Sequence, residues 1–454
     1  MRAWPLSIAL LASACTGPAT QTAAVPPLAP AGAWRTDLGP TAPIERDWWR
    51  AFGDPELIRL VERALANNTD LGIAAARVRD ARAQELAARA QLLPTLDLSG
   101  GFAHSRSVNA FGRPSVQTAL QPQFVASYEV DLFGRLEDQV AAARSGVSAS
   151  QAARDAAALG VASATASGYV TLLALDARLQ ITRETLTARD EAMRIARSRA
   201  REGYSPILEQ RQAEAEYEAT AQLIPQLQLA IARQEDALSL LTGDTAHRIA
   251  RGVAFNVLRE PAIPEGLPSD LLRRRPDVAQ AEYQLAATDA SLSAARKRFL
   301  PQLRLSGSAG AAISTLLADP IAIWSLGGSV LAPLFEGDRL RAQAESAAAQ
   351  RDVAAFTYRR TALTAFREVE DNLAAVQRLS QQLDHLQAQR AALAEGLRLA
   401  TNRYRAGYST YLEQLDAQRG LLSAELSLIQ TRADELAARI ALYQAMGGGW
   451  QAPG

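Results

Sequence analysis

The stretch that decides the fold runs from Phe124 to Arg135 and reads FVASYEVDLFGR. Over its first residues the side chains alternate, so that one side of an extended chain carries Phe124, Ala126, Tyr128 and Val130. This period of two predicts a β-strand with one apolar face. From Arg135 to Glu202 the chain contains no proline, and apolar residues recur three and four positions apart. That second pattern predicts one helix, roughly 100 Å long at ~1.5 Å per residue.

The predicted helix has a defined end and a return partner. Gly203 follows it, and glycine just past a helix end adopts the left-handed cap without strain. Arg199 and Arg201 lie in the last turn, where the helix dipole favours cations. Residues 206–241 predict a return helix, kinked at Pro225. The strand therefore leads into a long antiparallel helical hairpin.

The chain contains this unit twice. LPxLxLSG at 93–100 recurs at 300–307, RxGYSxxLEQ at 201–210 recurs at 405–414, and Leu-Phe at 132–133 recurs at 334–335. Three motifs in one order at nearly one offset indicate the duplication of a module of about 200 residues. The unit is too long for a solenoid repeat.

Each module is predicted to contain the same elements. A first helix is expected to open at Asp54-Pro55, and its counterpart to be capped by Ser269-Asp270. Two strands follow in each half, at 96–102, 124–130, 303–311 and 321–331. Strands of roughly 9–11 residues have the length that crosses a bilayer when tilted. Four edge strands of an ordinary soluble sheet are the alternative. The second long helix ends at Gly407, and its return helix covers 410–446.

The N-terminus has the layout of an export signal. A basic start is followed by an apolar run from Trp4 to Ala14, which is too short to span a membrane. Ala12-Ser13-Ala14 leads into Cys15, the only cysteine, and this resembles a bacterial lipobox with Ala12 where leucine is usual. Cleavage near Ala14 as an ordinary signal peptide is the alternative. The predicted organisation is a signal peptide at 1–14, a lipid-anchored flexible tether at 15–43, a first repeat at 44–250, a connector at 251–268 and a second repeat at 269–450.

Composition excludes several functional classes. The 48 Lys and Arg balance 48 Asp and Glu, so no basic excess points to nucleic acid. One cysteine excludes a disulfide framework. The histidines, His104 in a predicted strand-to-strand loop, His247 in the inter-repeat connection and His385 on a helix, lack neighbouring ligands at metal-binding spacing. No acid/base or nucleophile cluster is present, so we expect neither an enzyme nor a cofactor. A membrane-spanning helix is not expected either, because it needs an uninterrupted apolar run of roughly 18 residues or more, and the sequence has none of that length.

A four-stranded sheet in lipid has two open edges, and each unpaired backbone group there costs several kcal/mol. Four strands are too few to close a barrel. Several chains must therefore contribute: three would give twelve strands around a lumen, and two would give eight strands around packed side chains. The sequence pattern favours a tube and leaves the number of subunits open.

Six motifs together resemble the TolC-type outer-membrane efflux lipoproteins, in the NodT/OprM branch. They are DWW at 47–49, YEVDLFGR at 128–135, LPSDLLRRRPD at 267–277, RYxxG at 403–407, LDAQR at 415–419 and GGGW at 447–450. The resemblance covers about residues 44–450. It implies a mostly α fold with a transmembrane β part, in which a homotrimer forms a 12-stranded β-barrel continued by an α-helical periplasmic barrel.

The resemblance also implies a function and partners. Such channels are passive exit ducts that join a periplasmic adaptor (a membrane fusion protein) and an inner-membrane pump of the resistance-nodulation-division type. They export drugs or other small solutes. The implied location is the outer membrane of a Gram-negative bacterium, with a lipid anchor in membrane lipid and a large periplasmic part.

By resemblance, the constriction of the channel lies at 403–419. Leu412 and Asp416 are four residues apart on one helix face, so threefold symmetry would create an apolar ring and a carboxylate ring. Arg403, Tyr404 and Arg419 are implied to form the pairs that hold the closed state. A solvated, salt-bridged helix face is the alternative interpretation.

The first hairpin carries no copy of this gate. At the offset of 204 residues that relates the hairpins, Asp416 corresponds to Gln212 and Arg419 to Ala215. The two tips do share a motif, and we expect them to dock the adaptor or simply to cap helices. The tip residues are Gly203, Tyr204, Ser205, Gly407, Tyr408 and Ser409.

Two other interpretations of the whole chain remain at this level. One is a lipid-anchored periplasmic coiled-coil scaffold without a pore, which the alternating segments argue against. The other is a type I protein-secretion duct, which differs only in cargo and pump.

Trp48 and Trp49 are predicted to pack the first helix onto a neighbouring protomer rather than to lie at the membrane interface.

The lipobox and the closure argument can be tested together by native mass spectrometry of the detergent-extracted mature protein. We expect a trimer whose subunits begin at Cys15 and carry about three acyl chains each. A water-soluble monomer or dimer obtained without detergent would contradict the barrel and favour the scaffold.

Overall fold

The computed structural model describes residues 20–28, 32–36, 41–108, 111–266 and 268–451. Cys15 and the signal peptide lie outside these ranges. The described chain contains four long strands: β1 (Thr95–Val108), β2 (Pro114–Val130), β3 (Gln302–Ser314) and β4 (Ile321–Leu331). Its α-helices are α1 (Pro55–Asn67), α2 (Thr69–Ala90), α3 (Arg135–Arg201), α4 (Ile207–Ala221), α5 (Leu223–Leu241), α6 (Pro268–Arg274), α7 (Pro276–Lys297), α8 (Arg339–Arg405) and α9 (Tyr411–Ala445).

The four strands form one antiparallel sheet in the order β1-β2-β3-β4. The pair β2–β3 joins the two halves of the chain, with Ala126 opposite Gly307. Strands β1, β2 and β3 have 14, 17 and 13 residues, so they exceed the predicted length. The extra residues are mainly polar pairs such as Ser105 opposite Gln117, which hydropathy alone does not mark as strand. His104 consequently lies inside β1, where its Nδ1 is 2.8 Å from the Thr118 hydroxyl, and the prediction of a loop there is wrong.

The long helices follow the predicted pattern, with α3 and α8 each 67 residues long. Asp131 stabilises the start of α3, because its carboxylate accepts hydrogen bonds from the amides of Arg135 at 2.7 Å and Glu137 at 2.9 Å. The junction between β2 and α3 is thus fixed by Asp131, which belongs to the YEVDLFGR motif.

Both long helices end in the same way. Each is followed by a glycine with a φ of 80°, Gly203 after α3 and Gly407 after α8. In the first half the amide of Tyr204 then donates to the Arg199 carbonyl at 2.8 Å, and the second half repeats this bond. The predicted left-handed caps are therefore present, and each is closed as a Schellman motif.

The return helices differ between the halves. Helix α9 is continuous over 35 residues, whereas the first return is interrupted at Gln222, between α4 and α5. Pro225 has no amide hydrogen to give the carbonyl of Ala221, four residues earlier, and its ring crowds that carbonyl. The predicted kink at Pro225 is therefore a break three residues before the proline.

The chain divides into two compact units. The first contains residues 76–151 and 280–360 with the described N-terminal residues 20–28, and the second contains the remaining described residues. Helices α2, α3, α7 and α8 contribute residues to both units. The sheet belongs to the first unit, and both hairpin tips belong to the second. The second unit also holds a short parallel strand pair, Thr41–Ala42 with Ile263–Pro264.

The core of the second unit forms where α1 packs on α3 and α9. Trp48 is 2% exposed and stacks on Tyr443 of α9, with ring centroids 5.4 Å apart, while Trp49 is also buried. The apolar face of α1, which includes Leu57 and Leu60, packs into the same cluster. The two tryptophans are therefore buried within their own chain, and the prediction that they pack on a neighbouring protomer is wrong.

The fully buried carboxylate of Asp54 links three segments in this core. It caps α1 by accepting the amide of Glu56 at 2.7 Å, and it also accepts the Tyr169 hydroxyl and the Val253 amide, both at 3.1 Å. A side chain on Gly252 would collide with the Asp54 carboxylate. Burial raises the pKa of Tyr169 well above its usual value, so its hydroxyl stays a donor at all ordinary pH values.

Helix α6 begins at Pro268, so Ser269 and Asp270 lie in its first turn and not at the predicted cap, since proline is favoured at the first helical position.

In the second half an arginine links several segments, as Asp54 does in the first. Arg275, between α6 and α7, is buried and forms ion pairs with Asp277 at 2.7 Å and Glu368 at 2.8 Å. It also donates to the Ala445 carbonyl at the end of α9.

One described helix, α3, is long and apolar enough by composition to cross a membrane, although it contains no uninterrupted apolar run of that length. Serine and threonine interrupt its apolar residues, so a search for unbroken apolar runs misses it. Of its most apolar window, 56% is buried inside the protein. That burial is typical of a helix in a protein core, where neighbouring side chains replace lipid.

We expect Asp54→Ala to lower the free energy of unfolding by about 2–4 kcal/mol, because it removes a helix cap and leaves buried donors unpaired. The measurement is the urea midpoint of the helical circular dichroism signal in detergent. Asp70→Ala, which removes an exposed first-turn carboxylate of α2, is the control and should change the midpoint little. Equal midpoints for the two variants would contradict this role of Asp54.

Candidate functional site

The sheet sorts its side chains by face. Cross-strand pairing places one large apolar set on the same side: Leu96, Leu98, Phe102, Leu120, Phe124, Tyr128, Leu303, Leu305, Ile313, Trp324, Leu326 and Val330. Most of these residues are exposed in the single chain. The apolar face spans all four strands, as a surface in contact with lipid requires.

The opposite face is polar and largely uncharged. It carries mainly hydroxyl and amide side chains: Ser99, Ser105, Gln117, Gln121, Gln123, Ser127, Ser306, Ser308, Ser314, Ser325 and Ser329. Charges on this face gather where β2 meets α3, since Glu129 pairs with Arg135 at 2.6 Å and approaches Arg304 at 4.0 Å. Such a surface favours water.

The two outer strands of the sheet each pair on one side only among the described residues. Strand β1 pairs with β2, and β4 pairs with β3, so each has a free row of backbone donors and acceptors. A free edge beside an apolar face cannot be satisfied by lipid. The sheet is therefore built to continue into another sheet.

The two hairpin tips present aromatic side chains to the surface. Tyr204 and Tyr408, which follow the cap glycines, are each 80% exposed. On the first tip Ile207 and Leu208 are exposed as well. Capping explains the two glycines, but it does not require an exposed tyrosine at the next position in both halves.

The predicted gate residues lie at the start of α9. Leu412 and Asp416 are exposed one turn apart, while Tyr411 and Leu415 on the other side of the helix are buried. Arg403, at the end of α8, is exposed and forms an ion pair with Glu413 at 3.8 Å. The side chains of Leu412 and Asp416 therefore take no part in the packing that fixes the buried side of this helix.

Tyr404, in contrast, lies inside the hairpin bundle. Its ring is 5.6 Å from that of Tyr411, and the guanidinium of Arg199 stacks on it at 4.6 Å from the ring centre. Arg199 also donates to the Tyr404 carbonyl. Burial raises the pKa of Tyr404, and the nearby Glu209 carboxylate adds to the shift. The first hairpin thus contacts the second through the end of α8.

Arg419 is bound by a residue that the sequence analysis did not select, Glu216 of α4. The Arg419 Nε donates to Glu216 Oε1 at 2.8 Å, and Arg189 of α3 pairs with Glu216 Oε2 at 2.7 Å. Burial raises the pKa of the adjoining Tyr411 to about 12, with Glu216 as the next cause. The sequence could have marked Arg189 and Glu216 as charged residues at apolar positions of their helices. It could not show that they pair, because the pairing depends on how the two helices pack.

The family model described as outer membrane efflux protein matches residues 60–244 and again 267–448. The chain belongs to the outer membrane efflux protein family. The two matches fall on the two halves of the chain, and the TolC-type resemblance and fold class inferred from the sequence are confirmed.

Relatives and solved structures agree over nearly the whole chain. The chain is 34% identical to the pyoverdine export outer membrane protein OpmQ of Pseudomonas aeruginosa over 89% of this chain and 88% of OpmQ. It is 33% identical to the toluene efflux pump outer membrane protein TtgC of Pseudomonas putida (91% and 87%) and 30% identical to the probable outer membrane lipoprotein SilC of Salmonella typhimurium (89% and 88%). The CmeC outer membrane channel of Campylobacter jejuni superposes with a TM-score of 0.89, at 26% identity and 95% coverage of both chains.

Adjacent residues of β1 test the assignment of the two faces. Leu98→Arg places a charge on the apolar face and should cost about 2–4 kcal/mol of stability in the membrane, so little folded protein is expected there. Ser99→Arg, on the polar face, should assemble normally. The measurement is the yield of heat-modifiable, folded protein in outer-membrane fractions. The reverse order of yields would show that the faces are assigned the wrong way round.

Proposed function

We propose that the chain is the passive exit duct of a tripartite efflux system in the outer membrane. An inner-membrane pump of the resistance-nodulation-division type and a periplasmic adaptor would deliver drugs or other small solutes to it. The observation that carries the proposal is the four-stranded sheet, apolar on one face, hydroxyl-lined on the other and open at both edges. OpmQ and TtgC, which are named for export and efflux, support the same role.

A homotrimer would pair the backbone groups at both free edges of the sheet. If β4 of one protomer pairs with β1 of the next, every edge in the membrane is closed, and three chains supply twelve strands. Eight strands from two chains would fill with side chains, whereas the Ser and Gln face described above is suited to a wet lumen. No catalytic step is proposed for such a channel, because conduction depends on aperture and charge.

We infer a lipid anchor at Cys15 from the residues that follow it. Arg296 donates to the Thr20 hydroxyl at 2.9 Å, and the next residue, Lys297, donates to the Gly134 carbonyl close to the end of β2. Thr20 thus lies beside the strand-to-helix junction of the first unit. Thr20 is five positions after Cys15, a reach of at most roughly 17 Å. An acyl chain on Cys15 would enter the leaflet at that junction, and SilC is also named a lipoprotein.

At the hairpin end, we propose that Leu412 and Asp416 form the constriction. Both are exposed on one face of α9, so three copies would give an apolar ring next to a carboxylate ring. Arg403, Tyr404 and Arg419 would hold the closed arrangement through the contacts described above. The tips, 203–205 and 407–409, would receive the adaptor, with Tyr204 and Tyr408 as exposed anchors.

The gate is tested by Asp416→Ala in single-channel recordings from planar bilayers. Loss of the carboxylate ring removes charge and volume from the constriction, so conductance should rise severalfold. Glu191→Ala, which removes an exposed carboxylate of the first hairpin that pairs with Arg194, should leave conductance unchanged. An unaltered conductance for Asp416→Ala would remove Asp416 from the constriction.

A further inference from the structure

An open cavity of about 750 Å³ lies in the first unit, close to where three helices join the sheet. Its walls come from the start of α3, the end of α7 and the start of α8. The lining residues that the structure describes are two arginines, three glutamines, two serines and five alanines, with no acidic residue among them. A cavity of this size holds a drug-sized solute, and these walls offer it hydrogen-bond donors and positive charge.

The two arginines differ in how their charge is compensated. Arg339 is 58% exposed, and its Nε donates to the carboxylate of Glu336 at 2.7 Å. Arg298 is half-buried, and its Nη1 donates to the amide oxygen of Gln343 at 3.0 Å. No carboxylate in the described part of the chain forms an ion pair with Arg298, so its charge is uncompensated. A guanidinium has five N–H donors, and a single neutral acceptor leaves most of them for another ligand.

The first repeat shows that the fold does not need this charge. At the offset of 207 residues between the two LPxLxLSG motifs, Arg298 corresponds to Gln91. At the offset of 204 residues between α3 and α8, Gln343 corresponds to Gln139. The amide is thus present in both halves, whereas arginine replaces glutamine in the second half only. The junction of helix and strand forms with an uncharged residue at this place, so folding does not account for Arg298.

The N-terminal residues identify the outer side of these helices. Residues 20–28, here named the strap, contact both α7 and α8. The Nε of Arg296 donates to the Thr20 hydroxyl at 2.9 Å, and the carboxylate of Asp352 accepts the Ala23 amide at 2.9 Å. The proposed lipid anchor precedes the strap in sequence, and an acyl chain must reach lipid around the barrel. The side of the helices that carries the strap therefore faces outward.

The cavity lies on the opposite side of the same two helices. Ala294 in its wall is two residues before Arg296, which is roughly 160° around α7 at ~100° per residue. Gln343 is nine residues before Asp352, which is two and a half turns of α8 at ~3.6 residues per turn. Because the strap is outside, the cavity faces the lumen. Arg298 is four residues before the start of β3, so this part of the lumen is the mouth of the barrel.

We propose that this cavity is a transit site for anionic solutes, in which Arg298 binds a carboxylate, sulfonate or phosphate group of the cargo. The inference deepens the proposed exit duct and rests on it, because cargo reaches the cavity through the lumen. Gln343 holds one N–H of the guanidinium, and the remaining donors form charge-assisted bonds to the anion. Three protomers supply three such cations around one mouth, which raises the local concentration of anions there.

The binding test uses the mature protein in an uncharged detergent at low ionic strength, with the trisulfonated dye pyranine as the probe in equilibrium dialysis. Arg298→Gln introduces the residue that the first repeat already carries, and it should weaken pyranine binding about tenfold. Arg296→Gln removes the same charge two residues away, on the strap side, and should leave binding unchanged. Arg298→Lys should give an intermediate affinity, since it keeps the charge and loses the planar fork.

A second measurement places the site in the conducting path. In planar bilayers, pyranine should interrupt the wild-type current, and Arg298→Gln should shorten the interruptions about tenfold. The cationic dye crystal violet should show no such dependence on Arg298.

Three results would overturn the transit site and leave the duct standing, provided that the wild type conducts ions. They are no binding of pyranine to the wild type, equal losses in Arg298→Gln and Arg296→Gln, and current interruptions of equal length in wild type and Arg298→Gln. A wild type that carries no current in bilayers would instead refute the duct itself, and the transit role with it.

Discussion

The structure depends on the need to pair backbone hydrogen-bonding groups where water is absent. A helix satisfies this need within itself, whereas a sheet satisfies it only by closing. This chain supplies four strands and, in the part that the structure describes, ends its sheet with β1 and β4 unpaired on one side. The sheet has one apolar face and a free edge on either side of it. The protein must therefore assemble with further chains to pair those edges. The long helices, which begin directly at the sheet, inherit whatever symmetry that assembly has.

Local sequence patterns predicted the helices and strands. They could not predict features that depend on contacts between residues distant in sequence. The period of two at Phe124–Val130, the absence of proline after Arg135 and the glycines at 203 and 407 gave the strands, the long helices and their ends. The polar ends of the strands and the place of His104 were missed, because polar pairs deep in a hairpin have no apolar signal. The partner of Trp48 is Tyr443, close to the other end of the chain, which no local pattern reveals.

The gate region shows the same limit. Leu412, Asp416 and Arg419 could be proposed from a motif, but the position of Glu216 opposite Arg419 depends on how two hairpins pack. The duplication offers a partial remedy. Where two halves fold alike, a position at which they differ in charge marks a contact that only one half makes, as Arg189 does where the second half has Leu393. Divergence within a repeat is thus a signal for tertiary contacts.

The register of the sheet also bears on how fast it can form. Within the hairpins, paired residues such as Thr95 and Ser127 are close in sequence, but Ala126 pairs with Gly307 of the other half. Closing so long a loop is entropically costly before any long-range contact compensates. The two β-hairpins and the helices can form early, whereas the β2–β3 seam must wait until β3 of the second half is present. Until then four strand edges rather than two are open, so the nascent protein is most prone to aggregation before its halves join.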